Sequence, residues 1–508
     1  MKIKKTRYIN SPIKSIFEQY KSRPQKICII CDETKINYEE FLKKIIEFSK
    51  KLKNIKKEEK VLISISDPLN HIIAIYSCFY KSLVPIPYPD DNINELSSIA
   101  KETNASLIIS DKYLNIRKKK LIFSFKDLVT TKSKVSKNNI KSPTILPEKI
   151  AMIYFTSGTT SGVNKGVLQS YKNLEFTKNN ILKKTKITSD IFELICTPIF
   201  NAYWFGRLNS IFCTGGTIVL FSHSFNPITF FNYINKFKIN AISGDTAIYL
   251  MLMKYFKPNL LRISKKILWI KIASQAMPVE KKKEIMKVFP NTRIVMGYGL
   301  TEAMRTTLLS FFDEKKYLAS EGKSVEGISL KVLDNKNKNV GFKKIGRIFI
   351  KGDHVAKGYL QKKKLWKSKI YDGYYKSGDL GSLNSKGYLY LKGREDDAIN
   401  IGGRTVSLIE SDNKLSKFIN KTSFISLGIN DPLKIVDKIL VICIENKWQE
   451  KISWNKLRLR LFETVHKSLV PREAYIAKKF PKTKNGKIIK SKIIDNIKNN
   501  KYAKLKLN

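Results

Sequence analysis

Acidic residues are scarce in this 508-residue chain: 43 Asp and Glu stand against 95 Lys and Arg, for a formal net charge of +52. So basic a surface invites a polyanionic partner. Arginine is also in short supply, because Lys far outnumbers it and the lysines run the whole length without clustering. A nucleic-acid reader favours Arg for its planar fork and gathers aromatics for stacking, so no specific nucleic-acid partner is expected. No apolar run is long enough to span a bilayer. The basic start continues into polar residues, so neither a signal peptide nor a transmembrane segment is expected, and a cytoplasmic location is. Six cysteines occur, and the C-x-x-C pair Cys28/Cys31 has no second pair to complete a metal site. It falls in a strand-like run, Ile27–Cys31, where residues three apart should face opposite ways, so buried reduced thiols are expected. The G-x-x-x-x-G-K-[ST] spacing of P-loop NTPases is missing, as is any internal repeat.

What is present suffices for several packed units: 43% hydrophobic residues, with 23 Tyr and 27 Phe. Helical periodicity at Ser11–Tyr20, Tyr38–Lys53 and His71–Lys81 alternates with strand-like runs at Ile27–Cys31, Val61–Ile65, Ser106–Ser110 and Leu121–Phe123. The alternation continues through Phe192–Cys196, Thr217–Phe221 and Ala241–Ser243, and it predicts an α/β architecture with mainly parallel sheets. From Gly327 the texture changes to short strands with Gly and Asn turns, which predicts a small β-rich subdomain. Past Asp396 mixed signals predict a separate α+β unit, ending in a Lys/Asn-rich tail.

One stretch carries most of the chemistry. Tyr154-Phe-Thr-Ser-Gly-Thr-Thr-Ser-Gly-Val-Asn-Lys-Gly-Val167 feeds a short apolar run into a loop of hydroxyls and glycines that closes on Lys165. Glycines let backbone N–H groups approach a ligand, hydroxyls add donors, and the lysine adds a mobile charge, a combination suited to polyphosphate. Four later stretches follow in order: Gly297-Tyr-Gly-Leu-Thr-Glu302, Tyr375-Lys-Ser-Gly-Asp379, Gly393-Arg-Glu-Asp-Asp-Ala-Ile-Asn-Ile-Gly-Gly403 and Pro481-Lys-Thr-Lys-Asn-Gly-Lys487.

In order and spacing these five stretches resemble the adenylate-forming superfamily of acyl-CoA synthetases, peptide-synthetase adenylation domains and firefly luciferase. The resemblance runs from about Ser11 to about Ile494. It implies a large N-terminal domain, residues 1–395, that binds ATP and a carboxylic acid, and a small mobile C-terminal lid, residues 396–508, with Asp396 at the hinge. It also implies an ATP-dependent acid–thiol ligase: an acyl-adenylate forms with release of pyrophosphate, and the acyl group then passes to CoA or to a carrier-protein phosphopantetheine. On that basis Thr156, Ser157, Gly158, Thr159, Thr160 and Lys165 hold the β- and γ-phosphates. Tyr298 stacks on adenine, Thr301 contacts the α-phosphate, and Glu302 ligates Mg²⁺. Asp379 and Arg394 reach the ribose, and Lys487 bridges acyl carboxylate and α-phosphate during adenylation. Asn201, Trp204 and Gln275 are assigned to the acid pocket. The partners implied are a small carboxylic acid and an acyl carrier protein.

Several positions depart from the family pattern. The phosphate loop has one extra residue near Ser161, with Val163-Asn164 where a proline is usual, and Arg347 replaces a usual Glu. Asn201 stands where amino-acid adenylation domains carry an Asp for the substrate ammonium. An amide lacks that charge, so a small or medium organic acid with a neutral polar group is expected instead of an α-amino acid. Whichever of Tyr203, Trp204 and Phe205 face inward should shorten the acyl pocket. His223, His354 and His466 match no motif and are expected on the surface.

Overall fold

The computed structural model describes residues 11–89, 93–111, 121–124, 141–156, 165–222, 225–273, 276–395, 398–401, 404–416, 423–431, 438–445, 453–464, 470–482 and 488–505. The α/β expectation holds. A nine-stranded sheet runs, edge to edge, through Lys323–Ser324, Thr307–Ser310, Arg293–Met296, Trp269–Ala273, Ala241–Asp245, Phe192–Ile195, Thr217–Leu220, Ile27–Cys31 and Thr34–Asn37. From Arg293–Met296 to Ile27–Cys31 every neighbour is parallel, and antiparallel strands close both edges. Parallel sheets covered on both faces read as continuous apolar runs. Ile27–Cys31 and Thr217–Leu220 do so, and each strand contributes to two separate cores. A four-stranded, all-parallel sheet through Val84–Pro87, Lys60–Ser64, Leu107–Ser110 and Leu121–Ser124 lies earlier in the chain.

One strand corrects the sequence reading. Cys28 and Cys31 do not face opposite ways: both join the core that holds Ile29, Ile218 and Leu220, while Ile30 joins the other. The pairing of Ile27–Cys31 with Thr34–Asn37 slips between Ile27 and Ile29, and this bulge at Cys28 resets the alternation. Both thiols are buried, free and pushed up by desolvation, Cys31 to about 12.

Two smaller assemblies position the site. The strands Ile150–Thr156 and Lys165–Ser170 form an antiparallel hairpin whose register sets Thr156 opposite Lys165, with Gly358–Tyr359 along the other edge of Lys165–Ser170. Ser170 and Asn173 then make a reciprocal capping box that starts the helix Tyr171–Thr185. The β-rich subdomain is a sheet of Ser329–Leu333, Gly346–Lys351, Tyr374–Leu383 and Ile370–Tyr371, with Leu389–Arg394 on Tyr374–Leu383. Arg347 donates to the Asp334 carbonyl and, at 2.8 Å, to Asn337 Oδ1, so the departure from Glu serves a turn beside its strand.

In the C-terminal part, Ser423–Asn430, Lys438–Glu445, Glu473–Ala477 and Ala503–Lys504 make one sheet. The helix Lys490–Lys498 buries Ile493 and Ile497 in the core shared with Ile425 and Val441. No helix among the described residues is long and apolar enough to cross a membrane.

Candidate active site

Asp379 owes its direction to a local fault in its strand. Opposite Ile348 the strand Tyr374–Leu383 carries extra residues, where Gly378 takes a left-handed φ of 77°. Ser377 Oγ donates to the Ile348 carbonyl and accepts from the Asp379 N–H, both at 3.0 Å. Such bulges re-aim a side chain. The Asp379 carboxylate is thereby buried against two other residues the sequence assigned to the nucleotide, though not to each other: Tyr298 Oη donates to Oδ2 at 2.6 Å, and Arg394 Nη1 lies 3.3 Å from Oδ1. Burial pushes this carboxyl above the usual aspartate range, against the pull of Arg394 and Tyr298.

The turn Gly297–Thr307 carries Tyr298, Thr301 and Glu302 between two strands of the large sheet. A Cβ at Gly297 would sit 2.1 Å from the Thr307 carbonyl oxygen, and one at Gly299 would sit 2.4 Å from the Arg305 nitrogen, so both positions require glycine. Leu300 and Ala303 exchange backbone hydrogen bonds of 3.0 and 3.1 Å, which pushes Thr301 and Glu302 out at the apex. Gln169 Nε2 donates to the Thr301 carbonyl at 2.7 Å, tying the apex to the hairpin of Ile150–Thr156 and Lys165–Ser170.

Two tyrosines that the sequence reading missed complete the link. Tyr359 Oη donates to Glu302 Oε1 at 2.8 Å and lies 3.1 Å from Tyr375 Oη, while Lys165 Nζ sits 5.7 Å from the centre of the Tyr359 ring. Tyr375 begins the motif that ends in Asp379, a signal available in the sequence; Tyr359 lies outside all five motifs. Glu302 Oε2 makes no hydrogen bond among the described residues, and no cluster of three or more His, Cys, Asp or Glu there could hold a metal ion. One free carboxylate oxygen fits Mg²⁺, which takes few protein ligands and shares its shell with phosphates and water.

A cavity of about 240 Å³ opens beside this turn, lined among others by Asn201, Tyr203, Lys271, Tyr298, Thr301 and Arg305. Trp204, expected here, is absent from the lining. Adjacent helical residues point about 100° apart, so Tyr203 faces the cavity while Trp204 turns into the core, fully buried and edge-on to His71. Asn201 lines the cavity, but its Oδ1 accepts from the Trp204 N–H at 2.8 Å and caps the helix Ala202–Thr214, so its side-chain amine is what remains for a ligand. That helix is tied to the sheet by Arg207, fully buried, whose Nε and Nη2 reach the Glu193 carboxylate at 2.8 and 2.7 Å. His354 is no surface residue. It is fully buried against Thr306 and Phe176, and burial pulls it down to about 4.

A family model described as AMP-binding enzyme matches residues 16–360. The chain belongs to the AMP-binding enzymes, the adenylate-forming superfamily that its motifs resemble. Among AMP-binding relatives it is 27% identical over 379 residues to an oxalate–CoA ligase of Saccharomyces cerevisiae, covering 73% of this chain and 68% of that protein. Its fold matches O-succinylbenzoate coenzyme A synthetase of Bacillus subtilis in complex with AMP, with a TM-score of 0.83 at 19% identity over 94% of this chain and 97% of that one. ATP-bound MatB of Rhodopseudomonas palustris superposes with a TM-score of 0.85 at 18% identity, covering 96% and 99%. Ser157, Gly158, Thr159, Thr160, Gln275, Asp396 and Lys487 lie outside the described residues, as do His223 and His466. The strand pair Ile150–Thr156/Lys165–Ser170 brackets the first four of these, and a bridge between Lys482 and Ile488 brackets Lys487.

Proposed function

We propose that this AMP-binding enzyme is an ATP-dependent acid–thiol ligase in which two neighbouring runs of side chains handle the nucleotide. The supporting observation is those two runs: Arg394, Asp379 and Tyr298 form one, and Tyr375, Tyr359 and Glu302 form the other beneath Lys165. Both flank the turn that walls the cavity.

In this reading Asp379 accepts from the ribose hydroxyls while Arg394 and Tyr298 hold its carboxylate in place. Lys165 neutralises charge on the β- and γ-phosphates, which grows as pyrophosphate departs, and the hydroxyls from Thr156 to Thr160 donate hydrogen bonds to them. Thr301 donates to the α-phosphate, and Glu302, oriented by Tyr359, offers the oxygen for Mg²⁺, which supplies charge neutralisation across the phosphates. Lys487 bridges the acyl carboxylate and the α-phosphate. Residues 396–508 form the lid that carries it, with Asp396 as the hinge.

The acid is not carried over from relatives, whose names include substrates as different as oxalate and O-succinylbenzoate. A cavity of about 240 Å³, lined by the bulky ring of Tyr203, supports a small or medium acid. The acceptor is CoA or a carrier-protein phosphopantetheine, and the site of action is the cytoplasm. Incubation of the full chain with labelled acids, ATP and Mg²⁺ tests the reading, with each acceptor supplied separately. Acid-dependent pyrophosphate exchange followed by thioester formation is expected. ATP binding without any acid-dependent exchange overturns it.

A further inference from the structure

Among the described residues, the cavity beside the Gly297–Thr307 turn is lined by two cations and no carboxylate: Lys271 and Arg305. Both are buried, at 3% and 8% exposure. Lys271 sits in the middle of an otherwise apolar strand, Trp269–Ala273, at the centre of the large sheet, where an ammonium has no packing reason to be. The ammonium's one hydrogen bond among the described residues is a long one, 3.3 Å, to the neighbouring Ile272 carbonyl.

Arg305 is held in place at visible cost. It takes a left-handed φ of 57°, uncommon for any residue but glycine. Gly206 makes room for it: a Cβ there would meet the guanidinium at 2.3 Å. Arg305 Nη2 donates to the Tyr203 carbonyl at 2.9 Å, and its Nε, though buried, has no partner among the described residues.

Nearby carboxylates are already engaged. Glu193 is held bidentately by Arg207 and also accepts from Ser243, and Glu321 lies 3.8 Å from Lys282. Burial and the Arg305 and Arg207 charges depress the Lys271 ammonium well below its usual range, against the pull of Glu321, which no hydrogen bond joins to it. A buried cation without a counter-ion is costly, so an arrangement of this kind is explained by an anion that arrives with a ligand.

The reacting carboxylate is a poor choice for that anion. It loses its charge on becoming a mixed anhydride with AMP, so two cations fixed on it would favour the ground state and oppose the reaction. An anionic group elsewhere on the substrate keeps its charge throughout. We infer that Lys271 and Arg305 form a subsite for a second anionic group on the acid, so that the substrate is a short dicarboxylic acid activated at one end only. The carboxylate attacks the α-phosphorus at that end and pyrophosphate leaves, while the other carboxylate stays ionised against Lys271 and Arg305. This rests on the ligase reading and narrows it.

The test compares each diacid with its neutral monoamide, which matches it in length and shape: malonate, succinate, glutarate, adipate and phthalate, in acid-dependent pyrophosphate exchange on the full chain. At least one diacid should exceed its monoamide by roughly 100-fold in kcat/KM, the scale of a buried charge pair. Lys271→Met, close in volume, should cut that ratio by at least about tenfold. A monoamide, or the simple monoacid of equal length, used as well as every diacid overturns the subsite and leaves the ligase standing. So does an unchanged ratio in Lys271→Met. Exchange with no acid of either kind overturns both readings. The wild-type comparison needs no variant, so it stands even if Lys271→Met fails to fold.

Discussion

Replacing Asp379 by Asn changes one oxygen into an amine in a site with two opposing donors already in place. Tyr298 Oη at 2.6 Å and Arg394 Nη1 at 3.3 Å take one carboxylate oxygen each. The amide retains a single acceptor, and its amine faces a second donor whichever way it turns. In the proposed site the carboxylate also takes charge-assisted hydrogen bonds from the ribose, each worth about 1.5–3 kcal/mol, and these go with it. A combined loss of about 3 kcal/mol corresponds to roughly 100-fold in kcat/KM for ATP. Most of it should appear in KM, because the ribose is held equally before and during the reaction. Pyrophosphate exchange with ATP and with 2′,3′-dideoxy-ATP separates contact from mere structural damage. Wild type should discriminate between the two nucleotides by roughly 100-fold and Asp379→Asn by only a few-fold, because the variant has already lost what the hydroxyls bind. Undiminished discrimination in Asp379→Asn refutes the contact. Acidity supplies a second signature. Burial raises the Asp379 carboxyl, so on acidification it loses its charge earlier than an ordinary aspartate does. KM for ATP in wild type should therefore climb as pH falls towards that raised value, while Asp379→Asn stays flat.

Lys487→Ala should cut adenylation by roughly 100- to 1000-fold, the scale of one transition-state contact, and spare thiol transfer from a supplied acyl-adenylate; equal loss of both steps refutes separate roles for the lid. Glu193→Gln strands the fully buried Arg207 charge and should cost about 3–5 kcal/mol, read as a lowered thermal midpoint, whereas Glu193→Leu with Arg207→Met should recover much of the loss. A Glu193→Gln melt no lower than that of an exposed substitution refutes the tether.

Much of this molecule was legible in its sequence because the informative patterns are local. Runs such as Thr217–Leu220 announce parallel strands, and glycines at 297 and 299 announce a tight turn. Asp379, Arg394 and Tyr298 stand in three separate motifs, yet meet in one hydrogen-bonded run. What stayed hidden depends on a single step of rotation or register. Tyr203 rather than Trp204 faces the cavity because the N-cap at Asn201 fixes the phase of the helix. Cys28 joins the layer of Cys31 because one bulge adds a step to the alternation. Lys271, Arg305 and His354 are polar residues in a lysine-rich chain, where nothing local distinguishes a buried cation or imidazole from a solvated one.

The hairpin that carries Lys165 bears on how such a chain can change. Its strands are locked by pairing between Thr156 and Lys165, by Gly358–Tyr359 along one edge, and by the Gln169 bond to Thr301. Lengthening the connection at 157–164 leaves that register alone, and closing a longer loop is cheap, about 0.6 kcal/mol for each doubling. One residue inserted into either strand would instead turn every later side chain to the opposite face and carry Lys165 or Gln169 away from its station. Length variation is thereby channelled to the one segment where the aim of the lysine does not depend on it, and the extra residue near Ser161 falls there.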